Sequence, residues 1–216
     1  MPITWVILDA MGVVFEVGDD VNELLIPYLQ ARGCQVCPER IHQLYLKASL
    51  GEIPSFEFWR GVGLDGGYPG IEREYLDTAL TLDPAFVAVA NELSKRYRLA
   101  MLSNDVAEWS QHVRARLRLD RFFSTVVVSG EVGLRKPDER IFVLLLDRIG
   151  AMPSECAFVD DRGKNLLAAS RLGMKTIRFV RAESDGLFPL DAADDSFLAD
   201  AQIRKFDDLP RTLAAL

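Results

Sequence analysis

The sequence has little of what several kinds of site are built from. It holds three cysteines and two histidines in 216 residues. Cys34 and Cys37 form a C-x-x-C pair, but no second pair accompanies it. With only His42 and His112 beside them a four-ligand zinc site is hard to assemble, so the cysteines are expected in ordinary packing and the histidines, in helical stretches away from the strand ends, as surface or core residues. An odd, sparse cysteine count, with Cys156 as the third, suits a reducing compartment, and a cytoplasmic protein is expected. Net positive charge is also lacking, because acidic residues outnumber basic ones. A net charge of −7 leaves no broad electropositive face, so neither nucleic acid nor an anionic membrane is an expected partner. Arg114, Arg116, Arg118 and Arg121 make one basic run, spaced to spread around a helix as a solvated face. Long apolar runs are missing as well, and residues 3–8 are far too few to span a membrane or lead export. No internal repeat or low-complexity tract occurs. The G-x-G-x-x-G at residues 61–66 follows an aromatic helix instead of a strand, which makes it a flexible loop and not a dinucleotide site.

What is present is a chain that is 49% hydrophobic, enough for a full core and a small second module. Short apolar, β-branched runs at residues 3–8, 99–102, 125–128, 157–159 and 176–180 have the pattern of parallel strands buried on both faces. Helices fall between them. Asp83-Pro84 opens one to about residue 97, Pro137 opens one that Gly150 closes, and residues 164–172 form one closed by Gly173. The alternation predicts an α/β fold, a Rossmann-like parallel sheet core. Residues 17–82 exceed what a crossover needs and have helical patterns at 22–32, 38–50, 55–61 and 71–80. They are expected to form an inserted helical cap domain, with residues 1–16 and 83–216 as the core. Residues 182–201 are acidic and expected to be surface loop.

Four strands end in polar residues at one sheet edge: Asp9, Ser103-Asn104, Ser129 followed by Lys136, and Asp160-Asp161. Each alone could be a cap or turn former; together they mark a pocket. Asp9, Asp160 and Asp161 bring carboxylates into one cleft, where like charges at about 4 Å repel by roughly 4 kcal/mol at an effective dielectric of about 20. Such a cluster calls for protonation or a cation. All-oxygen ligands with room for water and phosphate suit Mg²⁺. Lys136 would hold a phosphate oxygen and Ser103 would donate to it, while Asp9 attacks phosphorus.

The segments VILDAMGVVFE, LSND, SGEVGLRKPDERIF and FVDDRGKNLLAASRLGM resemble, in order and spacing, the four motifs of the haloacid dehalogenase-like hydrolases. With GEIPSFEFW they are most similar to sugar-phosphatase-like members and to the amino-terminal phosphatase domain of soluble epoxide hydrolases. The resemblance implies Asp9 as nucleophile and metal ligand, with the Met11 carbonyl as a second ligand. It implies Asp161 as the main distal ligand, supported by Asp160 and Asn165, and Ser103, Asn104 and Lys136 around the phosphate. The expected cofactor is Mg²⁺, and the expected partner is a small phosphorylated metabolite. No sequence feature specifies an oligomeric state.

One position departs from the pattern. Two residues after the nucleophile, most of these phosphatases carry an aspartate that transfers a proton; here stands Met11. Losing such a group typically costs about 10²- to 10⁴-fold. A good leaving group, a metal-bound water, Glu16 or Asp105 are the compensations open at this point. The alternatives are a catalytically silent relative that binds a phosphometabolite or a protein, and a 2-haloacid dehalogenase, for which Asp160-Asp161 is a liability. Phe56, Phe58 and Trp59 are expected in the cap core or at the substrate pocket. Arg162 is expected to be solvated or paired.

Overall fold

The computed structural model describes residues 2–181 and 197–216. The first strand, β1 (Trp5–Leu8), is buried along its whole length. It is flanked by β2 (Arg98–Ser103) on one side and β4 (Cys156–Asp160) on the other. The remaining strands are β3 (Thr125–Val128), β5 (Lys175–Phe179) and β6 (Ala201–Ile203). All pair in parallel in the order β3-β2-β1-β4-β5-β6. Val6 and Leu8 enter one apolar cluster, whereas Trp5 and Ile7 enter the other. That two-residue alternation explains why the strand is apolar at every position. The chain passes from β1 toward β2 and β3, then crosses back to β4, so a crevice opens at the carboxyl ends between β1 and β4.

Helices α5 (Phe86–Leu93), α6 (Ala107–Leu117), α7 (Ser129–Val132), α8 (Glu139–Ile149), α9 (Gly163–Arg171) and α10 (Leu209–Ala215) surround the sheet. Gly150 closes α8 with φ +61°, the left-handed conformation expected there. Helix α5 is shorter than its pattern suggests. Asp83 accepts the Ala85 amide at 2.9 Å and holds Pro84 in a turn ahead of the helix. Strand β6, three residues long, is too short to leave a hydrophobic pattern. The acidic stretch expected as surface loop falls for residues 182–196 outside the described residues, and Ala201 belongs to β6. No helix among the described residues is long and apolar enough to cross a membrane.

Between β1 and α5 lies a helical block: α1 (Ile26–Ala31), α2 (Pro38–Ser49), α3 (Ser55–Gly61) and α4 (Gly70–Thr78). A wide π-turn at Val21–Leu25 leads into α1, because Pro27 has no amide to continue a regular ladder. The chain enters and leaves the block side by side: Glu16 donates its amide to Thr81, and Asp83 donates its own to Val14. Arg181 crosses this junction, donating to the Gly12 carbonyl at 3.0 Å, the Val13 carbonyl at 2.8 Å and Asp83 Oδ2 at 2.8 Å.

The block is fastened to α6. Buried Glu72 accepts the indole N–H of Trp59 at 2.8 Å and of Trp109 at 2.7 Å. Asp77 pairs with His112 and Arg116. Arg114 pairs with Asp120 and Glu131. Arg116, Arg118 and Arg121 are exposed, as a solvated face requires, while Arg114 is partly buried by its ion pairs. Phe58 and Trp59 are buried against Trp109, and Phe56 is exposed beside Tyr68; none of the three lines the cleft described below. The glycine-rich segment is a defined turn. Gly61 ends α3, and residues Asp65–Gly67 form a short 3-10 turn. Cys34 is buried with its thiol on the Val62 carbonyl, and Cys37 is exposed and unbridged.

Candidate active site

Asp9 follows β1 directly, so the end of a rigid central strand sets its position. Its Oδ1 accepts the Ala10 amide at 2.7 Å and lies 2.6 Å from Lys136 Nζ. The same ammonium donates to Asp160 Oδ2 at 2.8 Å. Asp160 ends β4, fully buried, where it also accepts the Arg162 amide at 2.8 Å and Asn165 Nδ2 at 3.1 Å. Asp161 completes the group: carboxylate oxygens of Asp9, Asp160 and Asp161 all lie within 4.8 Å of one another.

Charge is crowded here. Burial pushes the Asp9 carboxyl up to about 7, and Asp160 adds to the shift while Lys136 opposes it. Burial, then Asp160 and Asp9, raise Asp161 well above the usual carboxylate range. Burial works against the Lys136 charge, but Asp160 and Asp9 together outweigh it and hold the ammonium protonated. Three carboxylates thus face one lysine. The buried Asp161 Oδ1 has no hydrogen-bond partner, and neither has Asn165 Oδ1. Orphaned buried oxygens in an all-oxygen set fit a hard divalent cation of the magnesium type.

Two glycines make room for that oxygen set. A Cβ at Gly12 (φ +76°) or at Gly18 would lie 2.5 Å from Asp161 Oδ2. Gly18→Ala is expected to leave the fold intact, push Asp161 aside and weaken divalent-cation binding ~10- to 100-fold. Calorimetric titration with magnesium measures it, and unchanged affinity would refute it.

A cleft of about 670 Å³ opens over the group. Asp9, Met11, Ser103, Asn104 and Lys136 line it from the sheet edge, and Asp20, Asn22, His42 and Tyr45 from the helical block. Ser103 is buried at the end of β2. The Asn104 amide donates to the Lys136 carbonyl and accepts the Lys136 amide, both at 2.9 Å, so it orients the lysine. Ser129 turns away. Its hydroxyl bonds the Ser49 carbonyl and receives the Asp105 amide, fastening α2 to the core. Glu16 is exposed, and neither it nor buried Asp105 lines the cleft.

His42, expected away from the site, stands at the cleft and bonds Asn22 at 2.8 Å. Arg162 is partly buried there, donating to the Gly18 carbonyl at 3.1 Å. Asp20, Tyr45 and Arg135 also line the cleft and were not legible in advance. The Gly-Asp-Asp of residues 18–20, close after β1, was the available signal.

The family model for haloacid dehalogenase-like hydrolases matches residues 71–173. The chain is 34% identical over 110 residues to a glyceraldehyde 3-phosphate phosphatase of Methanopyrus kandleri, covering 50% of this chain and 46% of that protein. It is 42% identical over 111 residues to the bifunctional epoxide hydrolase 2 of Mus musculus, covering 50% of this chain and 18% of that one. The chain spans less than half the length of these curated relatives. Among solved structures, a HAD family enzyme of Bacteroides thetaiotaomicron, in complex with magnesium and inorganic phosphate, superposes with a TM-score of 0.72. That match covers 82% of this chain and 94% of the other at 22% identity, a likeness of fold.

Proposed function

Because the chain carries a haloacid dehalogenase-like hydrolase domain, we propose that it is a magnesium-dependent phosphatase of small, sugar-like phosphate monoesters. The reading rests on one observation: Asp9 held by Lys136 within a carboxylate group whose Asp161 oxygen lacks a partner. Phosphatase names among the relatives support it, as does the magnesium and phosphate complex of the structural neighbour. Residues 17–82 serve in this reading as the cap.

Asp9, Asp161 and the Met11 carbonyl would hold the magnesium, with Asp160 behind them. Once bound, it screens the carboxylates and offsets charge on the transferring phosphoryl group. Asp9 attacks phosphorus and becomes an aspartyl-phosphate, while Ser103 and Lys136 hold phosphoryl oxygens. Asn104 fixes the Lys136 backbone during the transfer. A carbon-attacking dehalogenase has no use for the Asp160-Asp161 pair, of which Asp160 adds to burial in making Asp9 harder to ionise. The test is phosphate release from a panel of small phosphate esters with magnesium and with a chelator. Magnesium-dependent turnover is expected. No turnover of any ester while calorimetry shows the metal bound would overturn the reading and favour a silent, ligand-binding protein.

A further inference from the structure

We infer that Asp20 is the acid that protonates the leaving oxygen of the substrate, an assignment that rests on the phosphatase reading. An alkoxide is a poor leaving group, so cleaving an alkyl phosphate needs a proton donor in the cleft, and Met11 has none to give. The cleft supplies few candidates. Lys136 is locked between Asp9 and Asp160. Tyr45 donates to the Asn104 carbonyl at 3.4 Å, and burial raises its pKa well above 10. The Asp19 carboxylate is occupied by the amide and side chain of Asn22. His42 is exposed and also tied to Asn22.

Asp20 differs from all of these. It lines the same cleft as Asp9, yet is only 8% exposed. Its loop runs over the carboxylate group, since a Cβ on Gly18 would sit 2.5 Å from Asp161 Oδ2. Two residues of chain reach about 7 Å, which keeps the Asp20 Cα within roughly 12 Å of that oxygen. Burial lifts its carboxyl to about 6, Arg162 and Arg135 pulling down and Asp19 pushing up. Asp105, Tyr45 and Tyr75 lie within its electrostatic reach. An acid near the working pH can both give a proton and take one back.

The step balances. Asp9 forms a bond to phosphorus, the bond to the leaving oxygen breaks, and that oxygen takes the Asp20 proton. In the second half Asp20, now ionised, takes a proton from the water that attacks phosphorus. The bond to Asp9 breaks, leaving inorganic phosphate, a free Asp9 carboxylate and protonated Asp20.

The leaving group separates this role from a structural one. For glycerol 3-phosphate, Asp20→Asn is expected to lower kcat/KM ~10²- to 10⁴-fold. For 4-nitrophenyl phosphate, whose phenolate departs unaided, the expected loss is under about tenfold, because kcat/KM reports only the steps through leaving-group departure. Asp20→Ser makes the same comparison should the asparagine variant fold poorly. Equal losses on both esters with an active wild type would overturn the inference alone. A wild type that turns over neither ester removes the phosphatase reading and this inference together.

Discussion

Exchanging Asp9 for asparagine is expected to abolish phosphate release, by more than ~10⁴-fold, while raising the melting temperature of the metal-free protein at pH 8. The loss follows from removing the proposed nucleophile. The gain follows from its surroundings. Burial beside Asp160 lifts the Asp9 carboxyl from 3.8 to about 7. Between those values the folded chain binds a proton that the unfolded chain has released. The stability linked to Asp9 is therefore complete below about pH 4 and declines as pH climbs through 7. The shift corresponds to about 4 kcal/mol at most. Asparagine removes that penalty but deprives Lys136 of a partner, so the net gain is about 1–3 kcal/mol. For a chain of this length that is a rise of several degrees. At pH 4, where Asp9 is already protonated in the fold, the gain should vanish. Thermal melts in chelator at both values measure it, and a lower melting temperature at pH 8 would contradict it. Under the proposed function, stability and catalysis conflict at this residue, as they do where function keeps like charges close.

Lys136→Met is expected to do the opposite to stability and also to cut turnover. The ammonium is 1% exposed and contacts both Asp9 and Asp160. Methionine keeps the length and removes the charge, leaving two buried carboxylates without their cation. Breaking a buried pair in this way costs about 3–5 kcal/mol, against a total of roughly 5–15 kcal/mol for a typical domain. Turnover should fall ~10²- to 10³-fold, the usual cost of one donor to a developing oxyanion. Magnesium should recover part of the stability by screening the same carboxylates. Combining Lys136→Met with Asp9→Asn should be far less damaging than the sum of the two effects, since the charge left unpaired is gone. Urea unfolding of the four proteins, with and without magnesium, checks all of this. Additive effects would show that the lysine acts elsewhere.

The Asp20 assignment changes what Met11 means. Met11 is buried at the cleft and supplies no proton. Glu16 and Asp105, plausible by their nearness in sequence to the motifs, stay out of the cleft: one is exposed, and the other is buried with its carboxylate accepting the Val106 amide. The helical block brings Asp20 in their place. In the proposed mechanism the proton comes from the loop that enters the block, not from the position two residues after Asp9.

What the sequence determined by itself is five strands of the sheet, β6 apart, and the polar residues at the carboxyl ends of four of them. Central parallel strands are buried on both faces, so they appear as short apolar runs, and an abrupt Asp9, Ser103 or Asp160 marks where each strand leaves the core. These are local patterns, readable without knowing what packs against what. The charge conflict among Asp9, Asp160 and Asp161 followed from the same placement. Only the tertiary structure decided which way Ser129 points, that Asn104 is spent on Lys136, and that Gly18 must be small to admit Asp161. Arg181 reaches back to Gly12, Val13 and Asp83 across most of the chain, and nothing near it in sequence announces that. Asp20 and His42 belong with these. Their place in the cleft depends on how the block docks through Glu72, Trp59 and Trp109 onto α6, a packing of residues distant in sequence that no local periodicity encodes.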